Sequence, residues 1–390
     1  MRGVFGNPHL NLIEHVYLFF LIAGKNMKYK IGFIIKGNEG KSQYHNPNVK
    51  PFVDLSYGLK SIGEDVVLFI DEREKHLEEK MRSIVGDVVR IIYYHPSNLE
   101  KLVSDNPIEY VIVDDNIDIM RIALKLRDKR IKTGVYVQYL YGVNTNKHIK
   151  KATSIELTIG SCLPWRLLTK TYRDLLRKFD FIISNSQTCG YILEKFYDVS
   201  LSGTVYPPVG VDMRPVLENT SNKTEKNGIL IFAGNIKNDY FSRNLKDEIK
   251  KMLRALDEPV KLFISNPETF KYFLEDGISP YSNLSVEELV KLFCDSKLTY
   301  VPTAYELFGH VGAESLLCGT PVVLDVYHPF LESFPMETNA VKIAKPNRTI
   351  SEVFINMMNE KIDMVSAKQS IYNRYSPEES AKSLSKAIEM

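Results

Sequence analysis

Residues 303–323, TAYELFGHVGAESLLCGTPVV, hold two glutamates, Glu306 and Glu314, with seven residues between them and Gly309 in the interval. The residues just before, 298–301, read as a short buried strand, 302–308 as a loop, Gly309 as a hinge, and His310 to Cys318 as a helix. Gly319, Pro321 and the apolar Val322, Val323 and Leu324 then mark a helix stop and a new strand. One acid therefore lies in the loop and the other inside the helix. The free N–H groups at the start of such a helix, near Gly309 to Val311, suit a phosphate or pyrophosphate. Glu314, one turn further in, has the reach of ribose hydroxyls, and Glu306 meets what hangs from the far phosphate. Phosphate flanked by two hydroxyl-accepting carboxylates describes a nucleotide sugar.

The rest of the chain repeats the strand and helix alternation. Strands are expected at 31–35, 65–70, 88–93, 110–113, 133–137 and 181–184, and again at 229–232, 260–264, 298–301 and 322–324. That repetition predicts an α/β protein with mostly parallel, doubly wound sheets and ligands at the carboxyl ends of the strands. A length of 390 residues exceeds what one core usually serves, so two domains are expected. The Pro, Gly, Asn, Lys and Glu content of 206–227 reads as a linker. The expected division is an extension or anchor helix at 1–26, a first domain at 27–205, the linker at 206–227, a second domain at 228–371, and a terminal segment at 372–390. In the last of these, Ser376-Pro377-Glu378-Glu379 predicts a capping-box helix start.

Composition narrows the classes. A hydrophobic fraction of 44% and a charged fraction of 25% are those of an ordinary soluble protein. The net charge of +2 gives no global field for nucleic acid. Cys162, Cys189, Cys294 and Cys318 show neither CxxC nor paired-His spacing, which disfavours zinc and a disulfide framework and suits a reducing compartment, the cytoplasm. Residues 10–24 are apolar but contain Glu14 and His15, and the uninterrupted run at 16–23 is too short to span a bilayer. Residues 165–179, WRLLTKTYRDLLRKF, place Trp165, Leu168, Tyr172, Leu175, Leu176 and Phe179 on one helical stripe with basic residues mostly elsewhere. Such a helix either contacts an anionic membrane at its cytoplasmic face or packs in its domain.

Two nucleotide-binding look-alikes fail on spacing or context. Residues 36–42, KGNEGKS, imitate a P-loop, but the glycine needed five residues before Gly40 is Ile35, still inside a strand. Gly37 and Gly40 more simply let this loop approach an acceptor. Asp114, Asp115 and Asp118 imitate a metal-binding motif and read instead as an acidic strand end.

With its neighbours in order, the 303–323 stretch resembles the signature of retaining glycosyltransferases of family 4. Those neighbours are Asn185-Ser186-Gln187-Thr188 after a strand, YPPVGVD at 206–212, FAGN at 232–235, and LSVEELVKLF at 284–293. The resemblance implies a GT-B fold, two Rossmann-like domains facing across a cleft, with the chain's end crossing back to the first. It implies metal-independent transfer of a hexose from a nucleotide diphosphate sugar to a glycan, lipid-linked or protein acceptor, with no cofactor beyond the donor. Glu306 would orient the sugar; Phe308, Gly309, His310 and Val311 would meet the diphosphate, and Glu314 the ribose.

Two positions depart from the family pattern. An Arg is usual after the glycine of the second domain's first strand; here Asn235 follows Gly234, and Lys237 or Arg243 is left to supply the charge. A His is usual after the strand at 133–137; here Gln138 or Tyr139 takes its place, and neither performs an imidazole's proton chemistry. Those losses motivate an alternative, a degenerate GT-B protein that binds nucleotide or glycan without turnover.

Overall fold

Alternation of apolar side chains decides both faces of the first sheet. In β1 (Lys30–Ile35), Ile31, Phe33 and Ile35 enter one core and Ile34 the other. A strand buried on both faces needs this pattern. The computed structural model describes residues 30–37, 49–127, 130–138, 163–219, 225–234, 240–256, 258–265, 267–268, 273, 277–302, 308–325, 332, 338–344 and 350–389.

The first sheet continues with β2 (Asp65–Asp71), β3 (Arg90–Tyr94), β4 (Tyr110–Asp114), β5 (Lys132–Val137), β6 (Phe181–Ser184) and β7 (Gly203–Thr204). Between these strands run α1 (Lys50–Ser61), α2 (Glu78–Val85), α3 (Leu99–Ser104), α4 (Ile117–Leu126), α5 (Leu163–Leu176) and α6 (Gln187–Phe196). The order is β3-β2-β1-β4-β5-β6-β7, parallel throughout. Its direction of winding reverses between β1 and β4.

After α7 (Arg214–Asn219) the second sheet is built from β8 (Ile229–Gly234), β9 (Val260–Ile264), β10 (Ile278–Tyr281), β11 (Leu298–Val301), β12 (Val322–Asp325) and β13 (Val341–Ala344). The helices here are α8 (Tyr240–Ala255), α9 (Val286–Cys294), α10 (His310–Leu317), α11 (Ile350–Asn359) and α12 (Met364–Tyr375). Its parallel order, β10-β9-β8-β11-β12-β13, reverses between β8 and β11. In open sheets of this kind ligands bind at such reversals, beyond the strands' carboxyl ends.

Three strands escape the sequence pattern. β7 has two residues, and β10 and β13 are four-residue edge strands. Pro280 lies within β10, where only an edge position tolerates the missing donor.

The last two helices serve different cores. Ala367, Ile371 and Tyr375 of α12 pack in the second domain. The helix break falls at Ser376, and α13 (Pro377–Glu389) then lies against α1 and β7, burying Ala381, Leu384, Ala387 and Ile388 in the first core. Leu384 and Ile388 each contribute about 1.5–3 kcal/mol by leaving water. The approach is so close that a Cβ on Gly58 of α1 would stand 2.0 Å from the Pro377 carbonyl oxygen. The two passages of chain between domains lie side by side, with the Val209 N–H donating to the Tyr375 carbonyl at 3.0 Å.

The capping box expected at Ser376 is only half formed. Ser376 Oγ accepts from the Glu379 N–H at 3.3 Å, but the Ser376 N–H is already given to Tyr372 at the end of α12. Glu379 pairs instead with Lys382. A complete capping box stands at Ser285 and Glu288, starting α9.

Candidate functional site

The helix start anticipated at Gly309 sits at the second sheet's reversal point. Gly309 is the N-cap of α10 with φ 88° and ψ 65°, a left-handed conformation that L-residues adopt at a cost, and a glycine brings no side chain of its own to cap the helix. On the adjacent strand, Gly234 ends β8 with φ 56°, and a Cβ placed on it would meet nothing within 4 Å. Gly234 and the start of α10 thus both stand at the carboxyl ends of the adjacent strands β8 and β11.

Behind that start, Phe308 is buried among aromatic rings. Its centroid lies 6.0 Å from Tyr206, 5.2 Å from Tyr375 and 5.0 Å from His310. His310 and Val311 are partly exposed, and Glu314 is 8% exposed. Buried hydroxyls fix the other end of the helix. Ser315 Oγ donates to Thr299 Oγ1 of β11 at 2.8 Å, and Thr320 Oγ1 donates to the Phe293 carbonyl at 2.7 Å. Lys226 Nζ donates to Thr320 Oγ1 at 2.6 Å and to the carbonyls of Gly319 and Ser296. Gly319, at φ 78°, ends the helix in the left-handed turn such stops use. The Gly-Thr-Pro-Val-Val run therefore anchors α10.

Glu314 faces a charge the sequence reading did not single out. Lys50 Nζ, at the start of α1 in the first domain, is 2.7 Å from Asp54 and 3.0 Å from Asp212, and all three residues are buried. Burial would discharge the ammonium, but Asp54, Asp212 and Glu314 outweigh it and hold Lys50 above the ordinary lysine range. The i, i+4 spacing of Lys50 and Asp54 was legible; the partner 162 residues away was not.

The first domain's candidates occupy the carboxyl ends of its central strands. Gln138 follows β5, is 8% exposed, and donates its backbone N–H to Asp115 at 3.0 Å. Its side-chain amide nitrogen is buried and has no hydrogen-bond partner among the described residues. Asp115 also accepts from the Tyr172 hydroxyl at 3.0 Å. Asp114, fully buried at the end of β4, has its pKa pushed up to about 7, first by burial and then by the charge of Asp115; the Asn116 N–H and Lys36 draw it partway back. Gly37 is close to Asp71, where a Cβ would come within 2.8 Å of the carboxyl carbon. Its missing side chain is used inside the domain. Among the described residues no group of His, Cys, Asp or Glu side chains is arranged to hold a metal ion.

Several expected residues fall elsewhere. Glu306, Tyr139, Asn235, Lys237 and Gly40 lie outside the described residues, as do 1–26. Arg243 lies on α8. Of the two readings of the apolar stripe at 165–179, packing in the domain holds for its second half: Tyr172, Leu175, Leu176 and Phe179 are buried in the first core. No described helix is long and apolar enough to cross a membrane.

Sequence reading also passed over Glu332, between β12 and β13. Its carboxylate accepts from the backbone N–H groups of Gln187 at 2.6 Å and Thr188 at 2.7 Å, at the start of α6 in the first domain. The hydroxyls of Thr188 and Tyr206 donate to it as well. No motif or periodicity marked this glutamate.

No protein-family model matches the chain, and no curated protein matches it. Among solved structures it is similar to a glycosyltransferase from Rickettsia africae ESF-5, with a TM-score of 0.67 and 12% identity over 93% of this chain and 98% of that one. Anabaena HepE, solved in complex with UDP and glucose, gives 0.62 and 10% over 93% and 99%. Sucrose-phosphate synthase from Thermosynechococcus elongatus gives 0.59 and 14% over 93% and 97%. At these identities the likeness is one of fold. The chain has the GT-B fold, two parallel α/β domains with seven and six strands among the described residues.

Proposed function

We propose that the protein is a retaining glycosyltransferase of the family-4 type, moving a hexose from a nucleotide diphosphate sugar to a glycan, lipid-linked or protein acceptor. The observation that carries this reading is the start of α10, where a left-handed glycine with no capping side chain of its own follows β11 at the sheet's reversal beside β8 and Glu314 lies buried one turn in. Backbone N–H groups and the helix dipole there favour a diphosphate, the charge that must be stabilised as the donor breaks. Glu314 accepts from ribose hydroxyls, and Glu306 from the sugar. UDP and glucose in HepE support a donor of this class.

In this reading the glycosidic bond to phosphate breaks while the acceptor oxygen attacks from the same face, and the departing phosphate oxygen takes the acceptor's proton. No protein nucleophile is needed, and none of the steps calls on a metal. Gln138 would hydrogen-bond the transferred sugar or the acceptor through its side-chain amide.

Thermal unfolding with a panel of nucleotide sugars, followed by transfer and donor-hydrolysis assays, tests the proposal. A donor should raise the unfolding midpoint by mass action. Glu306→Ala should abolish transfer with the fold intact, and Glu314→Gln should weaken UDP binding about tenfold, the loss of one charge-assisted contact. Stabilisation by no nucleotide sugar at millimolar concentration, with both variants like the parent, would reject it. Binding without transfer or hydrolysis would favour the degenerate binder.

A further inference from the structure

Glu332 and α6 belong to opposite domains. The glutamate lies between β12 and β13 of the second sheet, and the helix lies between β6 and β7 of the first. Helix starts leave N–H groups without intrahelical partners. In α6 the N-cap Ser186 satisfies one of them, accepting from Cys189 N–H at 3.0 Å. The next two, on Gln187 and Thr188, go to separate oxygens of Glu332. A carboxylate at this end also faces the positive pole of the helix.

This contact differs from an ordinary surface ion pair, in which two long side chains must be held in place for little return. Here the donors are fixed backbone groups, and both carboxylate oxygens are engaged. The link also reaches the candidate donor site. The Tyr206 hydroxyl donates to Glu332 at 3.3 Å, and the Tyr206 ring packs on Phe308, the residue before the Gly309 turn.

We infer that Glu332 is a positioning residue that caps α6 from across the cleft and thereby fixes how the start of α10 faces the first domain. The cap rests on the hydrogen bonds alone; its effect on catalysis rests on the glycosyltransferase reading. Because Glu332 already takes the amides of α6, that helix start is closed to an anionic substrate, and the diphosphate is directed to α10.

The test is hydrogen exchange on the full chain, read by mass spectrometry in overlapping peptides across 186–192, together with steady-state transfer and UDP affinity. In Glu332→Ala, exchange at Gln187 and Thr188 should rise about tenfold or more, as charge-assisted contacts are lost. Glu332→Gln, which keeps one accepting oxygen, should fall between. Transfer kcat should drop about tenfold while UDP affinity stays within about twofold, the split expected when orientation and not binding is lost. Unchanged exchange in Glu332→Ala would overturn the cap. Raised exchange with unaltered kcat would overturn the positioning role. A parent protein that shows the cap by exchange but transfers nothing would count against the glycosyltransferase reading and leave the cap standing.

Discussion

Lys50 and Asp212 form a buried ion pair, 3.0 Å between Nζ and Oδ1, that joins the first helix of one domain to the segment leading into the other. A pair of this kind adds little over a well-packed apolar substitute, but removing one partner leaves a buried charge uncompensated. Lys50→Met should therefore cost about 3–5 kcal/mol in urea unfolding, and combining it with Asp54→Asn and Asp212→Asn should recover part of that. A loss below about 1 kcal/mol for Lys50→Met would mean that water reaches the pair.

Gly309 offers a separate handle on the donor site. At φ 88° an alanine is strained, so Gly309→Ala should lower stability by about 1–2 kcal/mol. It should weaken UDP binding by more than this small loss suggests, because the helix start must shift to relieve the strain. Calorimetric titration beside unfolding measures both. Equal UDP affinity in the variant would separate α10 from the nucleotide.

Asp114 predicts a pH effect with a definite sign. Its carboxyl titrates near 7 in the fold against an ordinary 3.8, so between about pH 4 and 7 the unfolded chain has lost the proton that the folded chain retains. Stability therefore falls as pH rises through that window and is level above it. Asp114→Asn cannot ionise, and it keeps an oxygen to accept the Asn116 N–H. The variant should match the parent at pH 4 and exceed it by about 2–4 kcal/mol at pH 8. Thermal melts at the two pH values decide it; a variant less stable at pH 8 would show that the charged form has a partner.

Gly58 tests the docking of the terminal helix. With the Pro377 carbonyl 2.0 Å from a Cβ built there, Gly58→Ala must push the start of α13 away from α1. Limited proteolysis should then cut near Ser376 at least about tenfold faster, since local opening governs such cleavage. An unchanged rate would mean that α1 shifts instead.

Much of this architecture was legible because local pattern and tertiary role coincide. Ile31, Phe33 and Ile35 alternate as a doubly buried strand should, and Gly309, Gly319 and Pro321 punctuate α10 where the chain turns. Of the edge strands, β3 was legible but β7, β10 and β13 were not: two residues in β7, or four with a proline among them in β10, give too little periodicity. Pairings between domains were not legible either. Glu332 with Gln187 and Lys50 with Asp212 are separated by 145 and 162 residues, and nothing local distinguishes those side chains from solvated charges. The half-formed cap at Ser376 shows the same limit at short range, since one N–H serves only the nearer helix.

The hydrogen bond from Val209 to Tyr375 ties together the only places among the described residues where the backbone passes from one half to the other. Two tethers fastened at one spot resist the halves' drifting apart. A single protease nick in the outgoing strand would thus leave the molecule in one piece, its severed halves still roped by the returning one.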